Sequence, residues 1–247
     1  SFFTTYSKKL ENLIAGILFL LTFAIYFSTM APTVSFWDTG EFIATSHILG
    51  IPHPPGSPLF LLIGKLFTLI PISADIAFRM NIFSPLISAA TISLLFFICN
   101  EFIDRLDSRD NAKHFKMWSS LTASLTFAFT HSHWFNAVET EVYAFSGFMT
   151  ALVVYLILIW SKYKDEPHSA IYLMGIVYVI GLATGVHLLN LLTIPFIGLI
   201  IYFSTSKFSI KGLLITLGLS LLTFIVIQNG IIKGFPTIVS QIGFLGL

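Results

Sequence analysis

Long uninterrupted apolar runs constrain this chain more than any other feature. A helix rises 1.5 Å per residue, so about 20 apolar residues cross the roughly 30 Å of hydrocarbon in a bilayer. Runs of that kind occupy 10–30, 76–100, 116–134, 141–161, 169–186, 188–203 and 210–230. Backbone polar groups in lipid must be satisfied within the segment itself, which points to helices. The expected fold is therefore all-α: a polytopic membrane helical bundle of about seven spans. Composition agrees, since 55% of the residues are hydrophobic and only 10% are charged, and no water-soluble surface is built from such a mixture. Lys8 and Lys9 precede the first run as they would in a signal peptide, but its apolar stretch is too long and more spans follow, so it reads as a retained anchor. The last segment, TIVSQIGFLGL, is still apolar where it stops. Residues 1–247 thus read as one transmembrane module, the N-terminal part of a longer chain.

An eighth apolar piece, SPLFLLIGKLFTLI at 57–70, carries Lys65 and is too short to cross, so an interfacial or re-entrant helix suits it better. If it stays on one side, Lys8, Lys9, Arg105, Arg109, Lys113, Lys116, Lys162, Lys164, Lys207 and Lys211 all share the other. Segments 31–56, 131–141 and 186–190 then share the opposite side without a single Lys or Arg. Positive charge favours the cytoplasm, which places the N-terminus there and makes 31–75 one exoplasmic loop holding two juxtamembrane helices. A bacterial inner membrane, with this loop in the periplasm, is placed ahead of the endoplasmic reticulum. The net charge of +1 is spread without a basic stripe, which excludes a nucleic-acid partner, and the lone Cys99 excludes a disulfide framework and a thiol metal site.

The three exoplasmic stretches collect Asp38, Glu41, His47, His53, His131, His133, Glu139, Glu141 and His187. Two readings compete at each motif. In SFWDTGEF, Asp38 and Glu41 fit a capping-box variant at a helix start. One helical turn apart, they also project two carboxylates to one face of a membrane-level cavity. Phe42, Ile43, Ile48 and Leu49 turn toward lipid or protein, with Trp37 at headgroup level. HPPGSP at 53–58 is either a rigid helix start or, with free N–H groups and His53 beside them, a phosphate site. Glu139 and Glu141 either cap the following span or, with His131 and His133, ligate zinc or manganese; no metal is favoured. Arg79 answers an anionic ligand or neutralises Asp75 or a nearby Glu, and His187 with Asn190 forms a turn or a ligand contact.

Taken together, a first span, W-D-x-G-E-F in the next loop and H-P-P-G-x-P leading a short helix resemble the protein O-mannosyltransferase-like multispan family, formerly of unknown function. More distantly the pattern is similar to the lipid A aminoarabinose transferase. The resemblance is most specific over 36–60 and extends through AFRMNIFS (77–84) and ETEVYAF (139–145). It implies a C-type glycosyltransferase using a polyprenyl-phosphate-linked sugar, most simply mannose, and no cofactor, with metal dispensable. Carried over, it puts Asp38 at the catalytic base, Glu41 at a second motif acid, and His53 at the basic residue that contacts the donor phosphate. Either Glu139 or Glu141 would be the second exoplasmic acid. The implied partners are the lipid-linked sugar, a Ser/Thr-containing protein acceptor, membrane lipid and subunits of a membrane complex. A carboxylate near the acceptor hydroxyl would take its proton as the oxygen attacks, with inversion at the anomeric carbon. A proton-coupled transporter or a non-catalytic scaffold subunit are the alternatives.

Overall fold

The computed structural model describes residues 2–106 and 113–245, and every regular element among them is helical. Arg109, counted above among the basic residues, lies outside the described residues. Helix α1 (Phe2–Thr29) is followed by two short helices, α2 (Thr39–Ile48) and α3 (Pro58–Leu69). Next, α4 (Ile76–Asn81) runs into α5 (Phe83–Leu106), and α6 (Lys113–Ala128) precedes the short α7 (His131–Ala137). Then come α8 (Val142–Tyr163), α9 (Ser169–Thr184), a 3-10 turn at Leu188–Leu192, α10 (Thr193–Thr205) and α11 (Ile210–Ile225). A π-helical stretch, Val226–Gly234, leads into α12 (Phe235–Leu245). Helix α5 is the centre of the bundle, with α1, α6 and α8 packed around it; α9 and α10 lie on α8, and α11 on α10.

Among the described residues, five helices are long and apolar enough to cross a membrane: Lys8–Thr29, Ile76–Leu106, Val142–Tyr163, Leu188–Thr205 and Ile210–Gly243. The protein is an integral membrane protein. Two of the seven expected spans fall short. The run 116–134 is broken because Thr130 turns extended (φ −66°, ψ 141°) and starts α7, leaving α6 with 16 residues. Helix α9 also has 16 residues, confined between the polar KDEPH segment and Gly185. At 1.5 Å per residue each covers about 24 Å. Helix α3, with 12 residues, is shorter still, as its sequence suggests.

An aromatic ladder holds the two short helices onto the bundle. Phe42 of α2 meets Phe60 of α3 (centroids 5.3 Å), Phe60 meets Phe83 of α5 (5.9 Å), and Phe83 meets Phe145 of α8 (5.2 Å). These rings pack edge-on or tilted, the favourable geometry for aromatic pairs, and Phe60 is fully buried. Phe42 and Ile43 therefore face the protein core, whereas Ile48, Leu49 and Trp37 are exposed. Helices α2 and α3 approach closely at Gly64, where a Cβ would lie 2.6 Å from Ser46 Oγ and closer still to the Met80 methyl group. A glycine is needed there for space, not for backbone conformation.

Candidate active site

Asp38 stands just before α2, after Trp37 turns the chain through φ 58°. A capping aspartate is normally extended and accepts from the second or third helical N–H. Asp38 sits instead at φ −81°, ψ 1° and makes no capping hydrogen bond. Glu41 does not close a capping box either, because its carboxylate is engaged by His53. The His53 backbone N–H donates to Oε1 at 2.7 Å, and the ring Nδ1 lies 2.7 Å from Oε2. These bonds hold Glu41 below the usual carboxylate range. In turn the Glu41 hydrogen bond lifts His53 above the ordinary histidine value, with the charges of Glu41, Asp38 and Glu141 adding to it. One potential ligand atom from each of Asp38, Glu41 and His53 lies within 4.8 Å of the others, and among the described residues this is the one such group of three.

Behind this rim lie two buried acids. Glu141 immediately precedes α8 and accepts from Val142 N–H at 3.3 Å. Burial, with Asp38 and Glu139 nearby, pushes its pKa up to about 7. Glu139 accepts from the Ser35 hydroxyl at 2.6 Å, while its other oxygen is buried with no partner. Both acids are about 95% buried, so the structure brings Glu139 and Glu141 together with Asp38 instead of choosing between them.

A buried amide decides this convergence. Asn81, at the end of α4, donates to the carbonyls of Ala31 (2.8 Å) and Thr33 (2.9 Å) and accepts from the Thr140 hydroxyl. Ala31 N–H also donates to Val138 C=O at 2.8 Å. The segment before Asp38 is thereby bolted to the corner carrying Glu139 and Glu141. Asn81, Ser35 and Thr140 were not singled out from the sequence; the available signal was an amide inside the apolar AFRMNIFS run.

Other expected site residues lie elsewhere. Arg79 donates from Nε to Ser73 C=O (2.6 Å) and from a terminal nitrogen to Thr68 C=O (2.9 Å), closing the end of α3. It neither neutralises Asp75, which caps α4 through Ala77 N–H at 2.7 Å, nor joins the carboxylates. His187 accepts from Leu189 N–H (3.2 Å) at the 3-10 turn and packs on Tyr143 (5.2 Å), with burial holding its pKa below the usual value. Asn190 supports that turn by donating to His187 C=O and Ser146 Oγ. His131 and His133 do not meet the two glutamates. His133 is enclosed between Phe127 (4.6 Å) and Tyr26 (5.9 Å), where burial pushes its pKa down to about 4, and His131 is exposed against Phe135.

An apolar helical bundle with a carboxylate–imidazole cluster built on its loops and short helices defines an integral membrane protein with a polar site at one end. The chain belongs to the family described as the Protein O-mannosyl-transferase TMEM260 N-terminal domain, whose pattern matches residues 38–210 and so begins at Asp38. The resemblance carried by WDTGEF and HPPGSP is borne out. The chain is 26% identical over 193 residues to Protein O-mannosyl-transferase tmem260 of Dictyostelium discoideum, covering 73% of this chain and 22% of that protein. It is 30% identical over 134 residues to Protein O-mannosyl-transferase TMEM260 of Mus musculus, covering 54% of this chain and 17% of that protein. The chain thus spans about a fifth of the length of these relatives. No solved structure matches it.

Proposed function

We propose that this chain is the membrane module of a glycosyltransferase that moves mannose from a polyprenyl-phosphate donor to Ser or Thr hydroxyls of exported proteins. The names of the relatives support the transferase class. The observation that carries the mechanism is the Asp38 carboxylate, exposed and free of any capping bond at the mouth of the acid cluster. In this reading the acceptor oxygen attacks the anomeric carbon as its proton passes to Asp38. The bond from that carbon to the phosphate oxygen breaks, and the phosphate leaves with the electron pair. Attack opposite the leaving group inverts the configuration. His53, whose ring lies 2.7 Å from the Glu41 carboxylate and whose pKa that hydrogen bond raises, offers the basic group nearest the leaving phosphate.

The lipid tail of such a donor lies in the bilayer, so its reactive carbon is presented at headgroup level. A site on loops and short helices at one end of the bundle suits it better than it suits transport, which needs polar groups near midplane. The module sits with its N-terminus in the cytoplasm and the cluster on the exoplasmic face. The 16-residue α6 and α9 complete seven crossings where the bilayer thins around them. The test uses the full-length protein in membranes, labelled polyprenyl-phosphate mannose and Ser/Thr-rich acceptors. Asp38→Asn is expected to lower transfer by about 10²- to 10⁴-fold, the usual worth of general-base catalysis. Near wild-type transfer at normal expression refutes the assignment.

A further inference from the structure

We infer that Glu139 is a positioning residue for Asp38: through the Ser35 hydroxyl it closes the turn from which the proposed base emerges, without touching sugar or acceptor. The inference rests on the transferase reading and gives one of its acids a different task. Asp38 is exposed and makes no capping bond, so its carboxylate is aimed by the backbone on either side. That backbone is bent at Trp37, whose φ of 58° is a left-handed conformation that a bulky residue keeps only where its surroundings impose it. The Phe36 and Trp37 rings are 81% and 82% exposed and cannot supply that constraint. The hydroxyls of Ser35 and Thr39 can. They lie 3.2 Å apart and tie the two ends of the bend, with Phe36, Trp37 and Asp38 between them.

Ser35 is held in turn from the α7–α8 corner. Its hydroxyl donates to Glu139 Oε2 at 2.6 Å, the length of a charge-assisted bond. Thr39 is fully buried and Glu139 is 5% exposed, so both ends of the link are enclosed. Glu139 is itself fixed on both sides. Val138 before it accepts from Ala31 N–H at 2.8 Å, and Thr140 after it donates to Asn81. An acid that binds sugar or acceptor must face the open side of the site, as Asp38 does; Glu139 is buried instead and spends an oxygen on the turn.

The test is a double-mutant cycle in the full-length protein in lipid nanodiscs, with transfer from labelled polyprenyl-phosphate mannose read per folded chain. Ser35→Ala and Glu139→Ala are each expected to lower kcat by about 10- to 100-fold with KM within about threefold, since misplacing a reacting group by about 1 Å costs that much. The double variant should lose no more than about threefold beyond the worse single one, because both replacements break the same link. Ser35→Thr keeps the hydroxyl and Glu139→Gln keeps an oxygen to accept from it, so each should recover at least about fivefold over its alanine counterpart. Losses that multiply in the double variant, or wild-type kcat in Ser35→Ala, overturn the inference. Ser35→Ala removes one oxygen from a half-buried side chain and carries the test alone if Glu139→Ala does not fold. A second readout needs no sugar: amide hydrogen exchange over 35–41 in the substrate-free protein should quicken by about tenfold in both alanine variants. Unchanged exchange there overturns the link even if transfer falls. If exchange responds as expected while the wild type transfers no mannose, the transferase reading fails and the Glu139 link stands.

Discussion

Replacing Glu141 with glutamine removes an acid that burial holds protonated near neutrality while keeping an oxygen for Val142 N–H. The native pKa is raised from 4.5 to about 7. Each unit is worth about 1.4 kcal/mol, so the charged form costs the fold up to about 3 kcal/mol, and solvent at the Asp38 side of the cluster reduces this to about 2 kcal/mol. The sign follows from proton binding. Between pH 4.5 and about 7 the folded state keeps a proton that the unfolded state has lost, so the contribution of Glu141 to stability falls as pH rises through that window. Glu141→Gln is therefore expected to be more stable than wild type by about 2 kcal/mol at pH 8, a rise of several degrees in melting temperature, with the gap closing toward pH 4.5. The assay is a set of thermal melts in detergent with chelator from pH 4.5 to 8.5, read as the difference between the two proteins. The difference matters because His133, pushed down to about 4, titrates the opposite way: it weakens the fold as pH drops below its unfolded value of 6.5. A gap that does not change with pH, or a variant less stable than wild type at pH 8, refutes the claim that a buried, charge-averse carboxyl group lies here.

Asn81→Leu strips the amide from two carbonyls and a hydroxyl, and should cost about 2–4 kcal/mol. Limited proteolysis should then cut the 31–38 segment faster, and unchanged cleavage would show that the amide is not what holds it. Gly64→Ala forces a methyl group toward Ser46 and Met80 where α2 crosses α3, at a cost of about 1–3 kcal/mol by overpacking. A melting temperature within a degree of wild type would show that the crossing is looser than drawn.

The apolar runs made the helical bundle legible, and the gathering of acids and imidazoles near 38–53 and 139–141 was visible as a bias in residue type. The capping alternative was equally consistent with the letters. It failed because a cap depends on φ and ψ at one residue: Asp38 sits at φ −81°, ψ 1° with no side-chain capping bond, and the Glu41 carboxylate is taken by His53. Hydropathy averaged across Thr130 could not register that the chain bends there. Arg79 stood out as a partner for an anionic ligand or an acid, but the carbonyls of Ser73 and Thr68, six and eleven residues away in sequence, claim it.

By itself the sequence determined the solvent and the element type, because runs of apolar residues can satisfy their backbones in lipid only as helices. It also determined the inventory of groups able to move a proton or hold a cation. Tertiary structure alone decided which of them meet. Asn81 joins residues 50 and 59 positions away, and Ser35 reaches Glu139 across 104. Contacts at such separations follow from how the helices pack, and no local periodicity encodes them.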